Sequence, residues 1–314
     1  MNLSMTGSLA DRFKSGSQKA GNVTEAWGAE NFYCPNCSSP KLDWLKPGTK
    51  ASDYKCPACG FWYQLKSKKS RIGKSVRDGA YGAMMEAIKE DRAPSYFFLH
   101  YEITPPPPQR GGEGRGEVAQ LNSPHPASGH LLPVERGEGM LWSVRNLLLV
   151  PSFAFPPSAI IKCPPLSPTA RRAGWVGCNF DLNRIPGDAR IAIVMEKQIV
   201  PEKEVREKFK KVKPLKELSV KERGWTLDVL NIVRRVVESR RRGDESLSKK
   251  SNQRLLTSSP TNEFTNEDVY AFADELEQLH PDNRHVRDKI RQQLQVLRDA
   301  KLLIHVGSGL WRLP

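Results

Sequence analysis

The chain has 314 residues, enough for two domains that each bury a core, and its formal net charge of +14 favours a polyanionic partner. No long apolar run or basic amphipathic stretch indicates a membrane, and the polar segment Met1 to Lys19 lacks the apolar run of an export signal. We therefore expect a cytoplasmic protein that binds nucleic acid, although charge alone is equally compatible with a merely basic protein.

The first motif along the chain is a pair of CxxC sequences. Cys34 and Cys37 are separated from Cys56 and Cys59 by 18 residues, a spacing that lets four thiolates converge on zinc. Four sulfur ligands would fill the coordination sphere, so such a zinc ion would stabilise the fold and do no chemistry. The alternatives are redox CxxC pairs and buried free thiols. The spacing favours structural zinc in a reducing compartment.

The second motif is an Asp followed after ten residues by Gln-x-Lys, formed by Asp53, Gln64 and Lys66. The aromatic segment Phe61 to Lys66 predicts a β-strand, on which Gln64 and Lys66 project to the same face. The Asp carboxylate, the Gln side-chain carbonyl and the main-chain carbonyl of Leu65 are ligands suited to Mg²⁺, and the lysine would orient or deprotonate an attacking water. So short a pattern also arises by chance on a solvated strand face. Its place beside the proposed zinc module favours a nuclease centre.

The following elements alternate in an α/β pattern. Apolar periodicity predicts a helix at Asp78 to Asp91 and strands at Ser95 to Tyr101, Asn146 to Val150 and Arg190 to Met195. From about Thr104 to Gly139 the sequence is rich in Pro, Gly, Glu and Arg, which predicts a disordered insertion.

A loop is predicted from Thr169 to Asn179, where small residues surround Arg171, Arg172 and Trp175. The indole of Trp175 would stack on a base or cover a methyl group in one interpretation, and is a half-buried core residue in the other. The sequence leaves both interpretations open.

The C-terminal part predicts a separate helical unit. One helix begins near Thr226, a second begins at Thr265 with capping-box spacing to Asp268, and a third runs from about Asn283 to Asp299. The apolar segments of residues 302–306 and 310–313 flank a Gly-Ser-Gly turn and predict a hairpin. Three helices and a hairpin indicate an α+β winged helix.

The third of these helices has a polar face opposite its apolar stripe. Its side chains are suited to base edges in the major groove and to phosphates: Arg284, His285, Arg287, Lys289, Arg291 and Gln292. A charged solvent-exposed face is the alternative. The winged-helix pattern favours contact with DNA.

Six blocks of the sequence resemble the DpnI-like restriction endonucleases, which are related to the Dam-replacing nucleases. In chain order the blocks are Tyr33 to Cys37, Leu65 to Lys69, Asp78 to Tyr81, Pro168 to Asn179, Arg223 to Thr226 and Lys289 to Asp299. Because these blocks occur in the same order along nearly the whole chain, the resemblance covers both predicted units.

The resemblance implies a PD-(D/E)XK catalytic domain with a zinc site over residues 1–220 and a winged-helix domain over residues 221–314. It also implies catalytic positions at Asp53, Gln64 and Lys66 and a role for Trp175 in reading the modified base. The insertions expected at about 104–139 and 240–262 interrupt the family's pattern. Gln64 departs from the family, whose metal ligand at this position is acidic. The loss of one negative charge should weaken magnesium binding.

The resulting expectation is a monomeric bacterial type II endonuclease that cuts double-stranded DNA at adenine-methylated GATC with magnesium. The alternative is a methyl-DNA-binding or regulatory protein whose nuclease centre is impaired by Gln64.

Overall fold

The computed structural model describes residues 1–45, 52–106, 140–242 and 262–314. The strands are β1 Ser4–Met5, β2 Asp43–Trp44, β3 Tyr54–Lys55, β4 Trp62–Lys68, β5 Ser75–Ala80, β6 Ser95–Thr104, β7 Leu141–Val150, β8 Ile160–Pro165, β9 Val176–Asp181, β10 Ile191–Met195, β11 Gln198–Ile199, β12 Glu263–Thr265, β13 Ile304–Gly307 and β14 Leu310–Arg312. The α-helices are α1 Gly16–Asn31, α2 Tyr81–Lys89, α3 Glu202–Val212, α4 Val220–Arg242, α5 Asn266–Tyr270, α6 Ala273–Leu279 and α7 Val286–Asp299. Short 3₁₀ helices are Gly7–Arg12, Ser152–Ala154, Pro157–Ala159, Leu182–Arg184, Gly187–Ala189 and Lys213–Glu217.

An eight-stranded mixed sheet forms the centre of the molecule, with the order β11-β10-β7-β6-β4-β3-β2 and with β1 paired to β7. Strands β4 and β6 are parallel, because the chain crosses over through β5 and α2 between them. Strands β6 and β7 are antiparallel, with Thr104 opposite Leu141 at their outer ends. The expected insertion of about 104–139 therefore joins two neighbouring strands, and residues 107–139 lie outside the described part.

Aromatic side chains fill the interior beside β4 and β6. The ring of Phe97 stacks on Phe32 at 4.1 Å between centroids and on Tyr63 at 5.3 Å. Helix α1 covers this cluster so closely that a Cβ added at Gly28 would lie 2.4 Å from the hydroxyl oxygen of Tyr54. Because no larger residue fits at that position, the glycine sets the distance between α1 and the sheet.

Two smaller sheets accompany the large one, with the orders β5-β9-β8 and β12-β14-β13. Strand β9 follows the loop that contains Trp175, so the loop is anchored on the β5-β9-β8 sheet. The β13-β14 hairpin was predicted from the sequence. The sequence analysis did not predict β12, the third strand of this sheet, which pairs with β14 from Glu263 to Thr265.

Helix α4 contacts both the segment before β8 and the helices of the C-terminal unit. Its Asp228 accepts hydrogen bonds from the hydroxyl of Ser158 at 2.6 Å and is 2.9 Å from Nε2 of His280. The His280 ring also stacks on Trp225 at 3.9 Å between centroids. Asp228 thus joins Ser158, which lies just before β8, to His280 at the end of α6.

Several expectations are confirmed. Strands occupy the predicted places at β4, β6, β7 and β10, although β7 begins five residues earlier than Asn146. The predicted capping box is present: Asp268 N donates to Thr265 Oγ1, and the Asp268 carboxylate accepts from Thr265 N at 2.6 Å. The predicted second helix is divided into α5 and α6.

Four boundaries were wrong. Asp78 lies in strand β5, because backbone pairing with β9 continues to Ala80 and α2 begins only at Tyr81. The expected loop of Thr169 to Asn179 ends at Trp175, because the same pairing makes residues 176–179 a strand. Helix α7 begins at Val286, and Arg284 and His285 precede it because the Asn283 side chain accepts a hydrogen bond from His285 N at 2.8 Å.

The fourth wrong boundary is the start of α4, which lies six residues before Thr226. The cause is a capping box in which Ser219 N donates to the Glu222 carboxylate at 3.2 Å and Glu222 N donates to Ser219 Oγ at 3.3 Å. The helix then continues to Arg242, so the first residues of the expected insertion at 240–262 are helical; residues 243–261 lie outside the described part.

Among the described residues, no helix combines the length and the apolarity needed to cross a membrane.

We expect the substitution Asp228→Ala to lower the free energy of unfolding by about 1–3 kcal/mol, because it leaves the Ser158 hydroxyl and the His280 ring without their shared acceptor. Urea denaturation monitored by tryptophan fluorescence measures the change. Glu277→Ala, at an exposed position of α6, is the control and should change the value by less than about 0.5 kcal/mol. Equal effects of the two substitutions would contradict the importance of this junction.

Candidate active site and metal centre

The four cysteines of the CxxC pairs converge as the sequence predicts. Their sulfur atoms all lie within 4.8 Å of one another. Cys34 Sγ is 3.6 Å from Cys59 Sγ, and Cys37 Sγ is 3.6 Å from Cys56 Sγ. These separations fit a zinc tetrahedron, whose edge is about 3.8 Å for a Zn–S bond of about 2.3 Å. The donor set of four thiols and its geometry therefore suit zinc.

Backbone hydrogen bonds favour the thiolate form of Cys56, whereas burial disfavours it at Cys34. Burial alone would raise the pKa of Cys56, but N–H groups of Cys59 and Ala58 lower it to about 7. Burial raises the pKa of Cys34, which is fully enclosed. A bound cation would replace the protons of such thiols, so metal binding and thiol ionisation are coupled.

The cysteine cluster is fixed to the central sheet. Cys34 Sγ lies 3.2 Å from the hydroxyl of Tyr63, which belongs to β4. On the other side, Nε of Arg206 in α3 donates to the main-chain oxygen atoms of Cys34 and Cys37 at 3.3 and 3.0 Å. The cluster therefore connects α3 with the strand that carries Gln64 and Lys66.

Asp53 lies directly against β4. Its carboxylate oxygen Oδ2 accepts a hydrogen bond from Leu65 N at 2.7 Å, and its own N–H donates to Tyr63 O at 2.9 Å. Burial raises the pKa of Asp53, while the Leu65 hydrogen bond and the charge of Lys66 lower it in part. The structure thus brings Asp53 within electrostatic reach of Lys66.

Gln64 and Lys66 occupy one face of β4, and Tyr63 and Leu65 are buried on the other. The predicted alternation is confirmed. Gln64 and Lys66 are both half-buried, which leaves them accessible beside a shielded interior.

Two acidic residues near this centre were missed by the sequence analysis. Asp78 forms an ion pair with Lys66, with 2.5 Å between Oδ1 and Nζ. Glu25 in α1 lies close enough to Asp53 for burial and the Asp53 charge to raise the pKa of Glu25 to about 6. The position of Glu25 is stabilised from the sheet side by Tyr54, whose hydroxyl donates to Glu25 O at 2.7 Å. No short-range pattern links either residue to the motif, because both contacts depend on tertiary packing.

The loop before β9 presents the predicted arginines and tryptophan. Arg171 and Arg172 are exposed and Trp175 is half-buried. The guanidinium of Arg172 lies 4.7 Å from the Trp175 ring centroid, and a Cβ added at Gly177 would be only 2.8 Å from that ring. The indole is thus partly packed on β9 and partly covered by the Arg172 guanidinium.

The predicted polar face of α7 is exposed. Arg287, Arg291 and Gln292 point to solvent, as do Arg284 and His285 before the helix, whereas Lys289 is half-buried. Lys289 Nζ donates to the Gln292 side chain at 2.7 Å, and the Arg287 guanidinium lies 5.5 Å from the Tyr270 ring centroid. This face is separated in sequence from β4 and belongs to the C-terminal helical unit.

Two family models match the chain. The model of the Dam-replacing family, DpnI, covers residues 1–105 and 136–218. The model of the Dam-replacing HTH domain covers residues 255–313, which contain β12 to β14 and α5 to α7. The matched ranges include the four clustered cysteines, the Asp53 motif and α5 to α7, whereas α4 lies outside both, and the second match supports DNA binding.

We expect Cys59→Ala to reduce bound zinc well below the equimolar amount and to lower the thermal midpoint of unfolding, because three thiolates cannot complete the tetrahedron. Elemental analysis of the purified protein and a thermal melt measure the two effects. Cys163→Ala is the matched control, since Cys163 lies outside the cluster and should leave the zinc content unchanged. Retention of equimolar zinc by Cys59→Ala would rule out the four-cysteine site.

Proposed function

Since the chain belongs to the Dam-replacing, DpnI-like family, we propose that it is a methyl-directed endonuclease that hydrolyses double-stranded DNA at adenine-methylated GATC sites with magnesium. The observation that carries the proposal is the meeting of Asp53 with β4, the strand that presents Gln64 and Lys66 side by side. We assign the PD-(D/E)XK fold to residues 1–220 and a winged-helix domain to residues 221–314, with α4 beginning at the boundary.

The proposed metal ligands are the Asp53 carboxylate, the Gln64 side-chain carbonyl and the main-chain oxygen of Leu65. Oxygen donors suit Mg²⁺, which retains several waters of its own. When bound, the ion would polarise the scissile phosphate and lower the pKa of a coordinated water. Burial raises the pKa of Asp53, and burial together with the Asp53 charge raises the pKa of Glu25, which supports a cation at this place because a positive charge would stabilise both partly buried carboxylates.

Lys66 has the role of a phosphate- and water-positioning cation. Its ammonium group lies on the same strand face as Gln64, where it can hold the attacking water and offset the charge that develops on phosphorus. The exposed lysines that follow, Lys68 and Lys69, would attract the DNA backbone near the reacting phosphate.

Recognition is assigned to two surfaces. We propose that Trp175, with Arg171 and Arg172, contacts the methylated adenine, and that the exposed face of α7 enters the major groove. The overall positive charge supplies sequence-independent attraction to DNA, so binding should weaken as salt is raised.

The first experiment is digestion of matched plasmids, one with adenine-methylated GATC and one without, in the presence of magnesium. Fragments are expected from the methylated plasmid alone. Lys66→Ala should lower the rate by on the order of 100-fold or more, because it removes the cation that stabilises the developing charge. Lys208→Ala, which removes a partly exposed lysine of α3, is the control and should cut normally.

Three results would argue against this assignment. Equal cutting of both plasmids would remove the methyl-directed part of the proposal. Normal cutting by Lys66→Ala would remove the proposed centre. Methyl-dependent binding without cutting at any magnesium or manganese concentration would favour the second candidate, a methyl-DNA-binding protein whose nuclease centre is impaired by Gln64.

The substitution Gln64→Glu should restore a negative charge to the centre and tighten the binding of divalent cations, by about tenfold for a gain of about 1.4 kcal/mol. Calorimetric titration with Mg²⁺ or Mn²⁺ measures this directly, without requiring cleavage. Gln198→Glu adds the same charge at an exposed position of β11 and serves as the control. Cation affinity raised equally by both variants would place Gln64 outside the metal site.

A further inference from the structure

We propose that Asp78 is a positioning residue that fixes the Lys66 ammonium group in the proposed nuclease centre, an inference that rests on the function proposed above. The two side chains form an ion pair, with 2.5 Å between Lys66 Nζ and Asp78 Oδ1. They belong to different sheets: Lys66 to β4 of the large sheet and Asp78 to β5 of the β5-β9-β8 sheet. The pair therefore connects the sheet of the centre to the sheet that anchors the Trp175 loop.

The backbone of β5 is shaped for this contact. Arg77 pairs with Asn179 and Ala80 pairs with Gly177, so two residues, Asp78 and Gly79, face the single residue Cys178. Two residues opposite one form a β-bulge, which bends a strand and redirects its side chains, and bulges are common beside active sites. The bulge lies at Asp78 itself, the residue whose carboxylate contacts Lys66.

Both oxygen atoms of the Asp78 carboxylate are engaged. Oδ1 contacts Lys66, and the Cys178 thiol lies 3.9 Å from Oδ2 and 3.6 Å from Gly79 O. Burial, with the nearby Asp78 charge, raises the pKa of Cys178 to about 12, so this residue remains a thiol able to donate. The thiol thus offers a weak hydrogen bond on the side of the carboxylate away from the lysine contact, either to Oδ2 or to the neighbouring Gly79 O.

Burial distinguishes this pair from ordinary surface ion pairs. The side chain of Asp78 is 8% exposed and that of Lys66 is 21% exposed, whereas both side chains of the Glu204–Lys208 pair in α3 are more than 40% exposed. Surface pairs are screened by water and restrain their partners little. A shielded pair restrains the flexible lysine more strongly, so that its ammonium group is in place before DNA arrives.

The first test measures the restraint on Lys66 and requires no cleavage. The full-length protein and Asp78→Asn are treated with limiting acetic anhydride, and the acetylation of each lysine is followed by mass spectrometry. Asp78→Asn keeps the size of the side chain and should raise the labelling rate of Lys66 several-fold. Lys68, exposed on the same strand, is the internal reference, and Glu204→Gln is the matched carboxylate control.

The second test measures cleavage of methylated plasmid. Asp78→Asn should lower kcat about tenfold, a typical effect of mispositioning a reacting group. The Kd for a methylated duplex, measured with Ca²⁺ in place of Mg²⁺, should be unchanged. Because Asp78 acts through Lys66, Asp78→Asn should cause no further loss in a Lys66→Ala background, whereas a general structural defect would lower activity in both backgrounds.

Unchanged labelling of Lys66 in Asp78→Asn would overturn the inference, as would an independent loss of activity in the double variant. If Asp78→Asn does not fold, Asp78→Glu provides the test: protected Lys66 supports the ion pair and reactive Lys66 overturns it. The two proposals can fail separately. If Asp78 protects Lys66 in the wild-type protein but the protein cuts no DNA, the restraint is supported and the proposed nuclease function is wrong.

Discussion

The alternation of side chains along β4 is the constraint on which the rest of the structure depends. One face of this strand buries Tyr63 and Leu65, and the other presents Gln64 and Lys66. A register change of one residue would exchange the two faces, so the aromatic interior and the proposed centre are determined together. Packing of Tyr63 against Phe97 therefore also fixes which residues are available for chemistry.

The cysteine cluster adds to this constraint. Asp53 lies in the segment between the two CxxC pairs, so its position depends on how that segment is held. Its N–H donates to Tyr63 O, and its carboxylate accepts from Leu65 N. The contact between Cys34 Sγ and the Tyr63 hydroxyl attaches the cluster to the same strand. A structural metal there would do no catalysis, yet it would hold Asp53 in register with Gln64 and Lys66.

Much of this arrangement follows from local sequence patterns. The CxxC spacing predicted the convergence of four sulfur atoms, and the period of two predicted the shared face of Gln64 and Lys66. The capping box at Thr265 predicted the start of α5. These features depend on residues that are close in sequence or repeat with a fixed period, which is why a single sequence is enough to find them.

The features that escaped prediction depend on distant pairing, with two exceptions. Asp78 was placed in a helix because its apolar neighbours fit a helical period, but pairing with β9, about 100 positions away, makes it part of a strand. The same pairing shortened the predicted loop around Trp175. The exceptions are the starts of α4 and α7. Ser219 and Glu222 at capping-box spacing signal the start of α4 at Val220, and the local hydrogen bond from His285 N to Asn283 delays α7.

Charge balance shows how the proposed centre, with Gln in place of an acidic residue, would remain suited to a cation. Asp78 is paired with Lys66, the charge of Lys66 also reaches Asp53, and the charge of Asp53 reaches Glu25. These four residues therefore carry three carboxylates against one ammonium group, and Asp53 and Glu25 repel each other. A divalent cation at Asp53 would relieve that repulsion, and the gain would compensate in part for the charge that Gln64 lacks. The neutral amide then costs affinity without removing the electrostatic reason for a metal to bind.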